Sequence, residues 1–297
     1  MSNRERCVET DANRLIDWFA KLGDVAVAFS GGVDSSVVAA AAQRCPSIHA
    51  IAVTARSPSL SQRQLDVAVR VAHQIGIEHR VIDTGEIDNA DYRRNDGRRC
   101  FHCKATLYQS MATILNQFPG MTTVSGTNHD DLGDYRPGLE AAGAAGVQTP
   151  LSDLGMTKVD VRGLAKHFGL TNYDLPAAPC LASRVAYGTE VTTERLGRIE
   201  AAEAWLQQHG FDELRVRLHD GELARVEVPK HRIADLIQLD RDEEMTKAFL
   251  GFGFRFVTVD TRGLRSGNLN QMLVSIQSNF KPAVTGDPLD VTGESPN

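Results

Sequence analysis

The run Ser30, Gly31, Gly32, Val33, Asp34, Ser35 and Ser36 has the residue types of a phosphate cradle. Two adjacent glycines let backbone N–H groups approach phosphate oxygens, and a helix beginning directly after them adds the positive end of its dipole. The serine hydroxyls supply further donors, and Asp34 is the candidate ligand for the Mg²⁺ that travels with a nucleotide. The run lacks the GlyLysSer or GlyLysThr ending of a Walker A loop, so no lysine is placed on a γ phosphate and simple ATPase or kinase chemistry is not indicated. The plain alternative is a serine-capped glycine turn, against which the full heptad at a strand end weighs heavily.

A second polar run, Gly126, Thr127, Asn128, His129, Asp130 and Asp131, directly follows another predicted strand. Ligands gather at the carboxyl ends of parallel strands, so Gly126, Thr127 and Asn128, with Thr54 near the end of the second strand, join the candidate nucleotide site. A polar turn with a helix cap is the alternative. The five cysteines are an odd number, and in a reducing compartment they favour metal binding or sulfur chemistry over a disulfide framework. Cys100 and Cys103 form a CysXaaXaaCys pair and distant Cys180 makes a third thiol, whereas Cys7 and Cys45 lack metal spacing and read as structural. Structural zinc closes with four ligands, while a [4Fe–4S] cluster on three cysteines leaves one iron open. For the pair alone a cluster, a redox pair, zinc and an inert pair all stay open. Arg184 is near enough in sequence to Cys180 to favour its thiolate. Arg215 and Arg217 alternate along a predicted strand, so both guanidinium groups leave one face, where their planar forks suit a phosphate. Their alternative is a solvated strand face balanced by Glu213 and Glu227.

These residues need elements to hold them. Leu15, Ile16, Phe19 and Leu22 recur at helical spacing before Gly23, after which strands at 25–29, 48–53, 79–82 and 122–125 alternate with helices at 35–43, 61–75 and 104–115. That rhythm predicts an α/β fold with a doubly wound parallel sheet. A capping box at Thr157–Asp160 opens one more helix, and Pro176 and Pro179 mark a seam. Beyond it a long helix at 192–209 and strands at 213–218, 223–228 and 254–259 predict a smaller α+β domain. The expected division is 1–175, 176–280 and a mobile, proline- and glycine-containing tail at 281–297. A chain of 297 residues with 42% hydrophobic content suffices for two such domains. Thirty-two basic against thirty-eight acidic side chains give a net charge of −6, which disfavours a nucleic-acid partner. No long apolar run or signal-like start is present, so no membrane association and a cytoplasmic location are expected.

SerGlyGlyValAspSer is similar to the signature of PP-loop ATP pyrophosphatases, which cleave ATP between the α and β phosphates. The whole chain resembles the LarE family of sulfur-inserting enzymes, which act in assembly of the nickel-pincer nucleotide cofactor of lactate racemase. The resemblance rests on that run and on ArgCysPheHisCysLys (99–104), GlyThrAsnHisAspAsp (126–131), AspTyrArgProGly (134–138) and ProCysLeuAlaSerArg (179–184). LeuArgValArg (214–217), LeuAlaArgValGluVal (223–228) and ArgGlyLeuArgSerGlyAsn (262–268) complete it. It implies ATP-dependent adenylation of a pyridinium dicarboxylate mononucleotide and its conversion to a thiocarboxylate. It also implies that Cys180 is the sulfur-bearing cysteine, in some members a sacrificial one, and that Cys100, Cys103 and Cys180 match the three-cysteine subgroup holding a [4Fe–4S] cluster. An arginine pair matching Arg215 and Arg217 grips the substrate phosphate in that family, with Ser183, Arg184 and Arg265 as further candidates. The expected partners are the small-molecule nucleotide, a sulfur donor or iron–sulfur assembly protein, and further copies of the chain in a homo-oligomer. A tRNA-thiolating enzyme and a non-catalytic nucleotide-binding regulator are the rival readings. An amidotransferase-type synthetase is disfavoured, since no glutamine-hydrolysing domain is visible.

Overall fold

The computed structural model describes residues 3–133, 137–176 and 178–265, with side chains from residue 8 onward. The tail at 281–297, residues 134–136 and 266–268 of two matching runs, and the side chain of Cys7 lie outside these. The first part of the chain is α1 (Asn3–Leu22), β1 (Val25–Ala28), α2 (Val33–Gln43), β2 (Ala50–Arg56), α3 (Gln62–Ile75) and β3 (Glu78–Asp83). It continues with α4 (Ala90–Arg93), α5 (Arg99–Leu115), β4 (Thr122–Ser125), α6 (Pro137–Ala144), α7 (Pro150–Asp153) and α8 (Lys158–His167).

The four strands form one parallel sheet in the order β3-β2-β1-β4. Central strand β1 pairs Val25 with Ala50 on one side and Thr122 on the other. It is apolar throughout because helices cover both faces. On one face Val25 and Val27 pack with α1 (Leu15, Phe19), α2 and α8 (Val161, Leu164). The run Ala39–Ala42 is fully buried there, and its small side chains let α2 lie close between the sheet and its neighbours. On the other face Ala26, Ile51 and Val53 meet Tyr108 and Met111 of α5 and Ala142 of α6. The chain winds outward through β2 and β3, then returns to the far side of β1 as β4. The order therefore reverses between β1 and β4, and the loops leaving these two strands border one crevice, the usual place for a ligand in such sheets.

The remaining elements are α9 (Thr193–Gln208), β5 (Arg215–His219), β6 (Leu223–Glu227), α10 (Ile233–Leu239), α11 (Glu244–Gly251) and β7 (Phe256–Val259). β5 and β6 form an antiparallel hairpin, and β7 adds to β6 in parallel. Strand alternation sends Val216, Leu218, Ala224 and Val226 inward against Leu196, Ile199 and Leu206 of α9 and Phe249 of α11. It sends Arg215, Arg217, His219, Arg225 and Glu227 to the opposite face.

The α/β parallel sheet followed by a smaller sheet agrees with the sequence-based expectation. One boundary differs in a way that bears on the chemistry. The helix expected from Lys104 begins at Arg99, because no breaker interrupts Arg99–Lys104 and the Asp96 carboxylate accepts the Arg98 N–H at 2.7 Å just ahead of it. Cys100 and Cys103 thus stand three apart on the opening turns of α5, on one helix face. Helices α4 and α7 have four residues each, too few to show a period. Among the described residues no helix is long and apolar enough to cross a membrane.

Candidate active site

The glycine loop between β1 and α2 is held in one shape from several sides. Gly31 has φ +71°, and a Cβ there would stand 2.6 Å from the Ala68 Cα in α3, so both conformation and space demand glycine. Gly32 caps α2, and its carbonyl accepts the Ser36 N–H (3.0 Å) and the hydroxyls of Ser35 (3.1 Å) and Ser36 (2.8 Å). The first N–H groups of α2, on Val33, Asp34 and Ser35, have no intrahelical acceptor and form the positive end of the helix dipole. Ser30 completes the rim, with its N–H on Ser35 Oγ at 3.2 Å.

The GlyThrAsn run after β4 lies against this helix start. A Cβ on Gly126 would stand 2.6 Å from the Ser35 nitrogen, so the two loops touch backbone to backbone. Asn128 is buried and donates from Nδ2 to Asp34 Oδ1 at 3.1 Å, while Thr127 Oγ1 lies 3.1 Å from Ser125 Oγ. The second Asp34 oxygen accepts the Lys158 ammonium. Lys158 is the first residue of α8, whose expected capping box between Thr157 and Asp160 is present, and its N–H donates to Asp130 at 2.8 Å. Sequence reading singled out every member of this group except Lys158. Asp34 stays partly exposed and offers hard oxygen, a chemistry that fits a Mg²⁺ arriving with phosphates, which usually takes only one or two carboxylates from the protein. Thr54 donates to the Phe29 carbonyl at 2.8 Å and accepts from His79 Nε2 at 2.8 Å, and burial lowers the His79 pKa.

The segment carrying Cys180 is fastened to both parts of the molecule. Leu181 N–H donates to the Ser59 carbonyl (2.9 Å) in the loop after β2, and Arg99 Nη1 donates to the Ala182 carbonyl (2.8 Å). Cys103 and Cys180 pack against the second core. Desolvation pushes the Cys103 thiol up to about 12, and negative charge on Cys180, Glu86 and Cys100 acts in the same direction. Burial opposes the charge on Arg99, but Cys180 and Cys100 more than offset this and raise its pKa. The three thiols and one buried guanidinium therefore share a single electrostatic neighbourhood. Beside it lies a buried network that sequence reading missed. Glu86 accepts from Ser57 and Thr84 (2.9 Å from Thr84 Oγ1), and the Tyr92 hydroxyl meets Ser59. Three soft sulfur donors suit an iron–sulfur cluster by ligand type. As the side chains stand, no three His, Cys, Asp or Glu among the described residues converge closely enough to hold a metal ion. Cys45 is buried just past the end of α2, 3.3 Å from Ser47 Oγ.

Arg184 extends from the Cys180 segment to Glu203 (3.0 Å), and its Nη1 also donates to the Pro179 and Cys180 carbonyls. Arg184 thus bonds a carboxylate and backbone carbonyls. Ser183 Oγ donates to the Cys180 carbonyl at 2.7 Å. Arg217 is buried, donates to the Ser183 carbonyl at 2.8 Å, and pairs with Glu227 at 3.1 Å. Arg225 holds the other Glu227 oxygen at 3.0 Å. Arg215 is half-buried on the same face, where burial and the charges of Arg217 and Arg184 lower its pKa. The face is therefore a buried ionic cluster rather than a solvated one. Arg265 is the last described residue.

Residues 21–112 match the family model described as asparagine synthase, a span running from the end of α1 into α5 and including the glycine loop. Over most of its length the chain is similar to a pyridinium-3,5-bisthiocarboxylic acid mononucleotide synthase from Lactiplantibacillus plantarum. The two are 32% identical over 264 residues, which is 89% of this chain and 95% of that protein. An uncharacterized protein from Synechocystis sp. is 39% identical over 266 residues, 90% of this chain and 99% of that one. An uncharacterized protein from Methanocaldococcus jannaschii is 27% identical over 243 residues, 82% of this chain and 91% of that one.

Proposed function

The chain belongs to the LarE family of ATP-dependent sulfurtransferases in the PP-loop superfamily, and we propose that it converts carboxylates of a pyridinium dicarboxylate mononucleotide to thiocarboxylates. The observation carrying this reading is the pair of bonds made by Asn172 and Leu181. Asn172 bonds the glycine loop after β1, and Leu181, next to Cys180, bonds the loop after β2, which supports a reading in which the cysteine and the nucleotide loop work at one edge of the sheet.

A carboxylate oxygen is a poor leaving group and needs activation before sulfur replaces it. The substrate carboxylate attacks the α phosphorus of ATP, the bond to the β-phosphate oxygen breaks, and pyrophosphate leaves into the donors of the glycine loop and the α2 terminus. Asp34 would hold Mg²⁺, which supplies charge neutralisation on that leaving group. The acyl carbon of the adenylate is then open to a sulfur nucleophile, and AMP departs. Cys100, Cys103 and Cys180 would hold a [4Fe–4S] cluster, which supplies an exchangeable sulfide at its open iron. Arg99 keeps positive charge beside the thiolates, and Arg215 and Arg217, with Ser183, Arg184 and Arg265, form the proposed grip on the substrate phosphate. The same reading takes 1–175 as the nucleotide domain and 176–280 as the substrate and sulfur-transfer domain. It describes a cytoplasmic homo-oligomer reloaded by a sulfur donor or iron–sulfur assembly protein.

Anaerobic purification with iron and sulfide analysis and a visible spectrum tests the sulfur source. Replacing any of Cys100, Cys103 or Cys180 by alanine is expected to remove the cluster absorbance and multiple turnover. Loss of the elements of H₂S from Cys180 as the main result of turnover, seen by intact-protein mass spectrometry, would establish a sacrificial cysteine and overturn the cluster.

A further inference from the structure

Asn172 is 2% exposed and lies in the turn after α8, eight positions before Cys180. Its Nδ2 donates to the Gly31 carbonyl at 2.7 Å and to Ser36 Oγ at 2.9 Å. The amide orientation is fixed by chemistry, since the Gly31 oxygen can only accept. Ser36 passes the interaction on by donating to the Gly32 carbonyl at 2.8 Å. The Gly31 carbonyl is thereby held on the buried side of the loop, while the Gly32 carbonyl is also held by the Ser36 N–H and the Ser35 hydroxyl at the start of α2. In a trans peptide the N–H points opposite to the C=O, and all described peptides are trans. Fixing the Gly31 oxygen inward turns the Gly32 N–H outward, toward the open rim where it meets Ser30 Oγ at 3.3 Å. Asn172 Oδ1 is buried with no hydrogen-bond partner among the described residues. A side chain serving only to fill space would not retain an unmet buried acceptor, whereas one needed for its two donor bonds would.

From this geometry we infer that Asn172 is a positioning residue of the pyrophosphate site, setting the peptide plane between Gly31 and Gly32 so that the Gly32 N–H faces the anion. The inference rests on the reading of the loop as a pyrophosphate cradle. It also supplies a reason for the loop and Cys180 to act together, because one short segment carries both the residue that shapes the cradle and the cysteine.

Calorimetric titration of the full chain with inorganic pyrophosphate and Mg²⁺, and separately with AMP, tests it in wild type, Asn172→Ala and Asn172→Asp. Asn172→Ala is expected to weaken pyrophosphate binding on the order of tenfold while AMP affinity stays within about twofold. Asn172→Asp sets a carboxylate against the Gly31 oxygen and is expected to be worse at about pH 8. Measured relative to wild type at the same pH, it recovers toward about pH 5.5, because burial beside a carbonyl oxygen raises the pKa of the new carboxyl and its protonated form can again donate. A packing role alone would show no such recovery. Unchanged pyrophosphate affinity in both variants, equal loss of AMP affinity, or no relative recovery at low pH overturns the inference. A wild-type protein that binds no pyrophosphate overturns the reading of the loop itself, and the inference with it.

Discussion

Gly126→Ala perturbs the contact between the two loops of the nucleotide site without touching a polar group. The added Cβ would stand 2.6 Å from the Ser35 nitrogen, 2.8 Å from the Asp34 carbonyl carbon and 2.9 Å from the Ser35 Cα. All three are backbone atoms at the start of α2, so no side-chain rotation relieves the clash. Ordinary contact begins near 3.4 Å, and the segments must part by about 0.8 Å. Gly126 does not have a positive φ, so alanine suits its backbone and the effect is steric alone. Overpacking of this kind costs about 1–3 kcal/mol. If the displacement falls on the glycine loop, pyrophosphate affinity drops by about 5- to 150-fold, at tenfold for each 1.4 kcal/mol or so. If it falls on the packing, the melting temperature drops by about 1.5–2 °C for each kcal/mol. Calorimetric titration with pyrophosphate and a thermal melt read the two together. A variant that keeps both affinity and melting temperature would refute the placement of the GlyThrAsn run against α2.

In the protein without metal, Cys100 is exposed whereas Cys103 is held protonated, so mass-spectrometric mapping after iodoacetamide treatment at about pH 8 is expected to find Cys100 modified well before Cys103. Burial lowers the pKa of His79 and of His219, the latter also through Arg225 and Arg217. Both imidazoles therefore stay neutral in the folded state while the unfolded chain takes up protons, and stability is lost as pH falls below about 6.5. Thermal melts between about pH 7.5 and 5.5 should show a shallower decline when both are replaced by glutamine. Glu227 is 0% exposed and holds Arg217 and Arg225, so Glu227→Ala, which takes the shared carboxylate from two guanidinium groups, is expected to cost about 3–5 kcal/mol in denaturant unfolding.

What the sequence made legible was local. The apolar runs of β1 and β2, the capping box of Thr157 and Asp160 and the glycine loop all carry their meaning within a few residues, and each is present in the structure, β2 shifted from 48–53 to Ala50–Arg56. The residues that escaped act across long separations. Lys158 reaches Asp34 over 124 positions, Asn172 reaches Gly31 over 141, and Arg99 reaches Ala182 over 83. No periodicity or motif marks such pairs, since they exist only once the sheet has brought distant segments to one edge. The start of α5 was missed for a related reason: a cysteine motif reads as a loop feature, yet Arg99–Lys104 has nothing to stop a helix. Arg184 was legible as a cation but not as the partner of Glu203, which lies on another segment, and Glu227 was named as balancing Arg217 only on a solvated face, whereas the pair is buried.

The most direct test of the account is to incubate the anaerobically purified protein with ATP, Mg²⁺ and pyridinium-3,5-dicarboxylic acid mononucleotide, and to quantify nucleotide and pyridinium products together. The account predicts AMP and pyrophosphate in equal amounts, formed with a thiocarboxylate product, and none of these with Asp34→Ala, whose partly exposed side chain can be removed without opening the core. Release of ADP and phosphate, or AMP formation unchanged in Asp34→Ala, would contradict it.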